Sequence, residues 1–164
     1  MSIFVRLAEP ADIPAMAAIR AVVWETDEYW RRRIGGYLAG EINPQYALPL
    51  RVVFVAVEHG KIVGFIAGHR TQRHGCQGEL EWMDVAATHR RQGIAGQLIV
   101  RLAEWFVEQQ AYRVCIDVQP QNTGARALYA KFGAVPLNPH WMHWPDIRVV
   151  TQRGDSRDPG KREP

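Results

Sequence analysis

The chain lacks most features that would set it apart from ordinary globular proteins. Its 164 residues include only two cysteines, Cys76 and Cys115, which are too few for a disulfide framework and favour a reducing, cytoplasmic location. Charged or amide side chains interrupt every apolar stretch before it reaches the roughly 20 residues that a membrane helix needs. The N-terminal residues lack the basic region and apolar core of a secretory signal. We therefore expect a protein with no membrane segment.

Lysine is also scarce, and arginine supplies 17 of the 20 basic residues. The net charge of +3 favours anionic ligands such as a phosphorylated cofactor, but it is too small to indicate nucleic-acid binding. A hydrophobic fraction of 47% and a charged fraction of 23% exclude wholesale disorder. The length fits one domain, which we place at residues 1–151. The remaining tail, 152–164, holds no large apolar residue and is predicted to be disordered.

Apolar periodicity and turn residues predict a mixed α/β sheet with the order β-α-α-β-β-β-α-β-α-β-β. The first predicted helix follows Asp12, which can cap it. The other predicted helices are 26–40, 93–109 and 123–132, the last closed by Gly133. The predicted strands are 3–8, 51–57, 61–70, 79–86, 113–118, 134–137 and 141–150.

The most informative stretch is EWMDVAATHRRQGIAGQLIV, residues 81–100. It predicts a strand, then a turn with Arg90 and Arg91, then a helix that opens on small residues. The first turn of a helix has unpaired N–H groups and a positive dipole end, so it attracts anions. Small residues there leave room for phosphates to approach the backbone, and these residues are Gly93, Ala95 and Gly96. The glycine spacing fits neither a Walker loop nor a dinucleotide fingerprint. We therefore predict a pyrophosphate site of another kind.

The spacing Arg90-x-x-Gly93-x-Ala95 resembles the pyrophosphate-binding motif, Gln/Arg-x-x-Gly-x-Gly/Ala, of the GCN5-related N-acetyltransferase (GNAT) superfamily. A second motif, about thirty residues later, strengthens the resemblance. It is the pattern Asn-x-x-Ala-x-x-x-Tyr followed by glycine, carried by Asn122, Ala125, Tyr129 and Gly133. Ala134 replaces a common phenylalanine after that glycine. The resemblance covers roughly residues 3–150, and its specific part is 79–134.

This resemblance implies a mostly antiparallel, twisted sheet that is splayed between strands 4 and 5 and flanked by about four helices. It implies transfer of an acetyl group from acetyl-CoA directly to a primary amine, without a metal. The acceptor, a small molecule or a protein, is not identified by the sequence. Dimers are frequent in the superfamily, so a homodimer is an expectation on the same ground.

The resemblance also assigns the cofactor contacts. Two residues at the end of the strand would pair with pantetheine, and a backbone N–H near the first of them would polarise the acetyl carbonyl. The loop and helix start would hold the diphosphate, and two later residues would approach the cofactor. The alternative for Asn122 is a simple helix cap, and the alternative for Arg126 is a solvated helix face. The assigned residues are Val85, Ala86, Arg90, Arg91, Gln92, Gly93, Ile94, Ala95, Gly96, Asn122 and Arg126.

Three residues are candidates for proton transfer. The Tyr129 phenol can protonate the leaving thiolate, with simple packing as the alternative. Glu79 and Glu81 are candidates for the base, and a polar strand face that binds a cationic substrate is the alternative for both. Strand alternation predicts that residues 79, 81, 83 and 85 share one face, with Asp84 on the other.

Other interpretations remain open. His69, His74 and Cys76 have a poor zinc spacing, so we expect no metal in that loop. His140 and His143 either line the acceptor pocket or belong to an edge strand. An acyl-CoA-binding regulatory module without catalysis is the main functional alternative, and nucleic-acid binding through the arginines is a third.

Overall fold

The computed structural model, which describes residues 2–22 and 24–156, places all strands in one seven-stranded sheet. The sheet order is β1-β2-β3-β4-β5-β7-β6, and among its neighbours only β4 and β5 run parallel. The strands are β1 (Ile3–Leu7), β2 (Ala47–Glu58), β3 (Lys61–Thr71), β4 (Gly78–Val85), β5 (Val114–Asp117), β6 (Val135–Asn138) and β7 (Trp141–Trp144). The helices are α1 (Ile13–Ala21), α2 (Asp27–Ala39), α3 (Ile94–Glu108), α4 (Thr123–Lys131) and α5 (Arg148–Ser156).

Helices cover both faces of the sheet, which explains the continuous apolar runs in its central strands. On one face, α3 packs on the sheet through a stripe that includes Leu98, Leu102 and Phe106; we call this the α3 core. On the other face, α1 and α2 contribute Met16 and Ile34 to a second cluster, the α1–α2 core. No helix in 2–22 or 24–156 is long and apolar enough to cross a bilayer.

The predicted splay between strands 4 and 5 is confirmed. Only residues 78–80 of β4 pair with β5, where they meet residues 114–116. β4 then continues to Val85 along β3, without β5 beside it. The two parallel strands therefore diverge, and one edge of β4 stays open between them.

A β-bulge at Glu81 overturns one prediction. Ala67 pairs with Trp82 while the next residue of β3 pairs with Leu80, so Glu81 is an extra residue on β4. Met83 and Val85 therefore pack against the α3 core. Glu79 lies on the opposite face with Asp84, because each contacts groups on that side, as described below. The prediction that residues 79, 81, 83 and 85 share one face, opposite Asp84, is wrong.

The secondary structure after Trp141 also differs from the prediction. The predicted strand 141–150 ends at Trp144, and α5 begins at Arg148 after the Asp146 carboxylate accepts the Arg148 N–H at 3.0 Å. Ile147 and Val150 are buried in the α3 core, which holds this short fifth helix in place. The helix includes residues 152–156 of the predicted disordered tail. The rest of that tail, 157–164, lies outside the described residues.

Candidate active site

A cleft of about 1690 Å³ follows the open edge of β4 and reaches the N-terminus of α3. Its walls include β4, the loop after it, the start of α3, one side of α4, and parts of β1 and β5. Most of the predicted cofactor residues lie on this cleft, whereas Ala86, Gln92 and Arg126 do not line it. The split in the sheet thus creates the space that the sequence motifs predict.

The start of α3 presents amides to this cleft. The first intrahelical bond runs from the Gln97 N–H to the Gly93 carbonyl at 3.2 Å. The amides of the first turn precede that bond and have no intrahelical carbonyl to bind; they belong to Ile94, Ala95 and Gly96. Arg90 and Arg91 line the cleft at the same end. This arrangement is suited to an anion such as a diphosphate.

The two glycines of the loop have different structural roles. Gly93 adopts φ +81° at the helix N-cap, and a Cβ there would meet nothing within 4 Å, so its requirement is conformational. A Cβ at Gly96 would come within 3.0 Å of Phe132 Cζ. Gly96 therefore allows α3 to approach the end of α4, in addition to lying on the cleft.

The two predicted pantetheine contacts at the end of β4, Val85 and Ala86, differ in where their backbone groups point. The Ala86 N–H donates to Val63 at 2.8 Å, and the Ala86 carbonyl accepts the His89 N–H at 2.8 Å. Both groups of Ala86 are thus bound within the chain. Antiparallel pairing alternates, so the N–H and C=O of Val85 point away from β3 toward the open edge. Val85, unlike Ala86, directs its backbone groups to the cleft, where its carbonyl accepts from Arg90 Nε at 3.3 Å.

The two predicted cofactor contacts at α4, Asn122 and Arg126, also differ from each other. The Asn122 side chain lies on the cleft and caps the helix by accepting the Ala125 N–H at 3.1 Å. The Arg126 guanidinium donates to Val118 O at 3.0 Å and Gln119 O at 3.4 Å, and also to Pro139 O. These bonds hold the guanidinium against the backbone. Lys131, at the end of the same helix, lines the cleft instead.

Tyr129 lies at the inner wall of the cleft, where its side chain is buried. Its ring packs edge-on against Trp144, with centroids 5.9 Å apart. Burial raises the pKa of the Tyr129 phenol, and the negative charge of Asp84 raises it further. Asp84 itself is paired with Arg20 at 2.8 Å. The phenol therefore keeps its proton at neutral pH.

A second cavity, of about 460 Å³, opens on the other side of the split. The two cavities share wall residues, among them Leu80, Glu81 and Trp82. Trp141 also lines the second cavity, whereas neither His140 nor His143 does. The bulge residue Glu81 thus lies where a molecule in one cavity would meet a molecule in the other.

The two candidate base residues have different environments. The buried Glu79 carboxylate accepts from Arg73 Nε at 3.1 Å and from the Thr71 hydroxyl at 3.3 Å. Burial raises the pKa of Glu81, and the charge of Glu79 adds to this rise, although His69 and two arginines oppose it. Glu79 is thus bound by two donors, while burial gives Glu81 a raised affinity for a proton.

One residue of this site was missed by the sequence interpretation. His69 was grouped with a loop, but it lies in β3, fully buried, and pairs across the strands with Glu79. Nitrogen and oxygen atoms of His69, Glu79 and Glu81 lie within 4.8 Å of one another, and Arg73 Nε lies 3.1 Å from Glu79 Oε1. The cross-strand register of the predicted strands 61–70 and 79–86 is the signal that would have found it.

The other two members of that grouping lie apart from the carboxylates. The His74 ring packs on Trp141, with centroids 4.9 Å apart. Cys76 is buried beside Cys115 of β5, and a hydrogen bond between the two thiols lowers the pKa of Cys76 to about 7. The loop therefore does not gather the three side chains into one site.

Comparisons with known proteins agree with this geometry. The family described as "Acetyltransferase (GNAT) family" matches residues 19–134. The N-alpha-acetyltransferase MAK3 of Arabidopsis thaliana is 29% identical over 86 residues, which are 52% of this chain and 45% of that protein. YobR of Bacillus subtilis, an uncharacterized N-acetyltransferase, is 36% identical over 63 residues, which are 38% of this chain and 26% of that protein. The matched segments thus span less than half of each of these two relatives.

Solved structures show the same fold. The PaiA N-acetyltransferase of Thermoplasma acidophilum, in complex with coenzyme A, aligns with a TM-score of 0.66 over 88% of this chain and 99% of that one, at 17% identity. Because the family match covers well over half of the sequence, this chain belongs to the GNAT family of acetyltransferases.

Proposed function

We propose that this protein transfers an acetyl group from acetyl-CoA directly to a primary amine. The observation that carries the proposal is the junction of the two cavities at Glu81, in the split between β4 and β5. One cavity has the helix amides and arginines that suit a diphosphate. The other gives a second molecule access to the same point from the opposite side.

The residues of the larger cleft fit acetyl-CoA. The free amides of the first turn of α3 would hold the diphosphate, with charge from Arg90, Arg91 and Lys131. The open edge of β4 at Val85 would pair with the pantetheine amides as an added strand would. The coenzyme A complex of the T. acidophilum relative supports this assignment. When bound, acetyl-CoA supplies the activated acetyl group as a thioester.

Glu81 is the better candidate for the base. An amine must lose a proton before it can attack, and a carboxylate with a raised pKa accepts that proton more readily. Glu79, by contrast, is occupied by Arg73 and Thr71. The N–H of Val85, which points to the open edge, would donate to the oxygen that becomes negative during attack. Tyr129 would donate its proton to the departing sulfur.

The second cavity constrains the acceptor. Its walls contain three carboxylates and three guanidinium groups, from Glu79, Glu81, Asp117, Arg20, Arg33 and Arg73. Because these charges balance, the cavity offers no excess negative charge to attract a polycation. We therefore expect an acceptor with one reacting amine in a polar surrounding. The acceptor's identity needs a direct assay.

The test combines binding and turnover. Calorimetry with acetyl-CoA and with coenzyme A measures affinity, and thiol release measures acetyl transfer to a panel of amines, amino acids and peptide N-termini. Binding together with amine-dependent thiol release supports the proposal. Binding without turnover on any amine would favour a regulatory acyl-CoA-binding module. Absence of binding, with salt-dependent association with DNA or RNA, would favour the nucleic-acid alternative.

Three further expectations belong to this proposal. We expect a cytoplasmic enzyme because cysteine is scarce, and we expect a reaction that needs no metal and assembly as a homodimer by family resemblance. Activity that survives dialysis against EDTA would support metal independence, and loss restored by a divalent ion would contradict it. Sedimentation of the purified chain would decide its oligomeric state.

A further inference from the structure

His69 lies next to the carboxylates of Glu79 and Glu81 in the proposed active site. Its side chain is fully buried in β3. Its Nδ1 is 2.9 Å from the Tyr37 hydroxyl, and its Nε2 is 3.6 Å from Glu79 Oε1. Among the described residues, no group lies within hydrogen-bond distance of Nε2. A buried nitrogen of this kind needs a partner, and the carboxylates are the nearest acceptors.

Tyr37 determines which nitrogen of His69 carries the proton. Burial holds the pKa of Tyr37 well above its ordinary value, so the hydroxyl keeps its hydrogen. Within the described part of the chain, that hydroxyl bonds only to Nδ1 of His69. Nδ1 is therefore the acceptor, and the proton of the neutral ring resides on Nε2. The Nε2–H is directed at the carboxylates, with Glu79 Oε1 at 3.6 Å.

The surroundings of His69 contain titratable or charged groups from every element that packs around it. The arginines supply positive charge, so His69 needs to contribute only a hydrogen-bond donor. These groups are Arg33 and Tyr37 from α2, Arg51 from β2, Arg73 from the turn after β3, and Glu79 and Glu81 from β4.

We propose that His69 is a positioning residue, whose Nε2–H holds the Glu79 carboxylate in place and thereby leaves Glu81 as the carboxylate that takes the proton of the acceptor amine. This inference rests on the proposed function. The N–H bond of the ammonium breaks, an O–H bond forms on Glu81, and the neutral amine keeps the electron pair that attacks the acetyl carbon. When two carboxyl groups lie in different environments, they can take different roles in proton transfer.

The kinetic test uses three variants. His69→Phe removes the donor but keeps the ring packing on Tyr37, where the centroids are 5.8 Å apart. Because a donor to the carboxylates is lost, the pKa of the carboxylate pair rises, and the acidic limb of the kcat/KM profile moves up by about one pH unit. His69→Gln retains an N–H donor, so its acidic limb should lie close to that of the unmodified protein. His143→Gln, a buried histidine outside both cavities, is the matched control and leaves the limb in place.

A purely structural role for His69 would give a different result. His69→Phe would then lower activity equally at all pH values, without moving the limb, and this outcome would overturn the inference. Calorimetry with coenzyme A on each variant confirms that the fold and the larger cleft are intact. If His69→Phe does not fold, Tyr37→Phe frees Nδ1 and should move the limb in the same direction by a smaller amount.

A spectroscopic test does not depend on turnover. In ¹⁵N-labelled protein, the His69 imidazole should show the Nε2–H tautomer, and its shifts should follow the titration of the carboxylates. In Glu81→Gln that titration step should disappear from the His69 signal. An Nδ1–H tautomer, or a signal indifferent to Glu81, overturns the inference. If no amine is ever acetylated, the proposed function fails while this experiment still decides the role of His69.

Discussion

Leu80 and Trp82 lie two residues apart on β4 yet pack in opposite cores of the protein. Leu80 belongs to the α3 core and Trp82 to the α1–α2 core, because Glu81 is inserted between them as a bulge. In a regular strand these two side chains would share a face. The bulge places Glu81 beside the open edge, where both cavities meet it. The local irregularity of the strand is therefore what positions the proposed base.

Glu81→Gln should lower kcat about 10²-fold or more, because a positioned base contributes about that much. Affinity for coenzyme A should be unchanged. In the unmodified protein, the base works only when ionised, and its pKa is raised. Activity should therefore disappear on acidification at a higher pH than the ordinary glutamate value of about 4.3. The pH dependence of kcat/KM measures this. Glu108→Gln, on an exposed position of α3, is the control.

The same substitution should stabilise the protein at neutral pH. A carboxyl whose pKa is raised by folding stabilises the native state while it is protonated, and that contribution is lost as pH rises through the raised pKa. Glutamine does not ionise, so the variant keeps this stabilising contribution as the pH rises. Urea unfolding of both proteins should show a difference that grows from acidic to neutral pH. A variant that is less stable at pH 7 would contradict the raised pKa.

Tyr129→Phe should lower kcat and leave coenzyme A affinity nearly unchanged, because only the hydroxyl proton is lost. The ring contact with Trp144 is retained, so the fold should persist. Loss of a general acid costs about 10²-fold or more. Steady-state kinetics and calorimetry on the same preparation separate the two effects. Tyr112→Phe, whose ring faces Arg148, is the control. Unchanged turnover would remove the acid role from Tyr129.

Much of the fold could be predicted because its signals are local. The amphipathic stripe of α3, the hairpin of β2 and β3, and the caps at Asn122 and Gly133 depend on residues close in sequence. The loop Arg90–Gly96 was predictable for the same reason, since strand, turn and helix start follow one another directly.

The remaining features depend on contacts between distant segments. The bulge at Glu81 is fixed by pairing with Ala67 and Gly68 of β3, which strand alternation alone does not show. The His69–Glu79 contact has the same cause. Helix α5 begins inside the predicted strand 141–150 and is held by the burial of Ile147 and Val150. Tertiary packing decided each of these.

Gly93→Asn should keep coenzyme A affinity, whereas Gly93→Glu should abolish it. Asparagine tolerates the left-handed conformation that Gly93 adopts, and a Cβ there meets nothing within 4 Å. Glutamate adds strain and places a negative charge where the diphosphate is proposed to bind. Calorimetry measures the affinities. Gly40→Ala carries a similar strain, at φ +79° behind α2, and should lower stability by about 1 kcal/mol without changing affinity. Retained affinity in Gly93→Glu would move the anion site elsewhere.

Arg126→Ala and Lys131→Ala should separate a structural cation from a ligand-binding one. Arg126 donates to three backbone carbonyls that join α4 to the ends of β5 and β6, so its loss should cost about 1.5–3 kcal/mol of unfolding free energy. Lys131 is exposed on the cleft, so its loss should leave stability unchanged and weaken coenzyme A binding, more at low salt than at high salt. Thermal unfolding and calorimetry at two ionic strengths distinguish the variants. If Arg126→Ala is fully stable but binds coenzyme A more weakly, then Arg126 contacts the cofactor and its role is not structural.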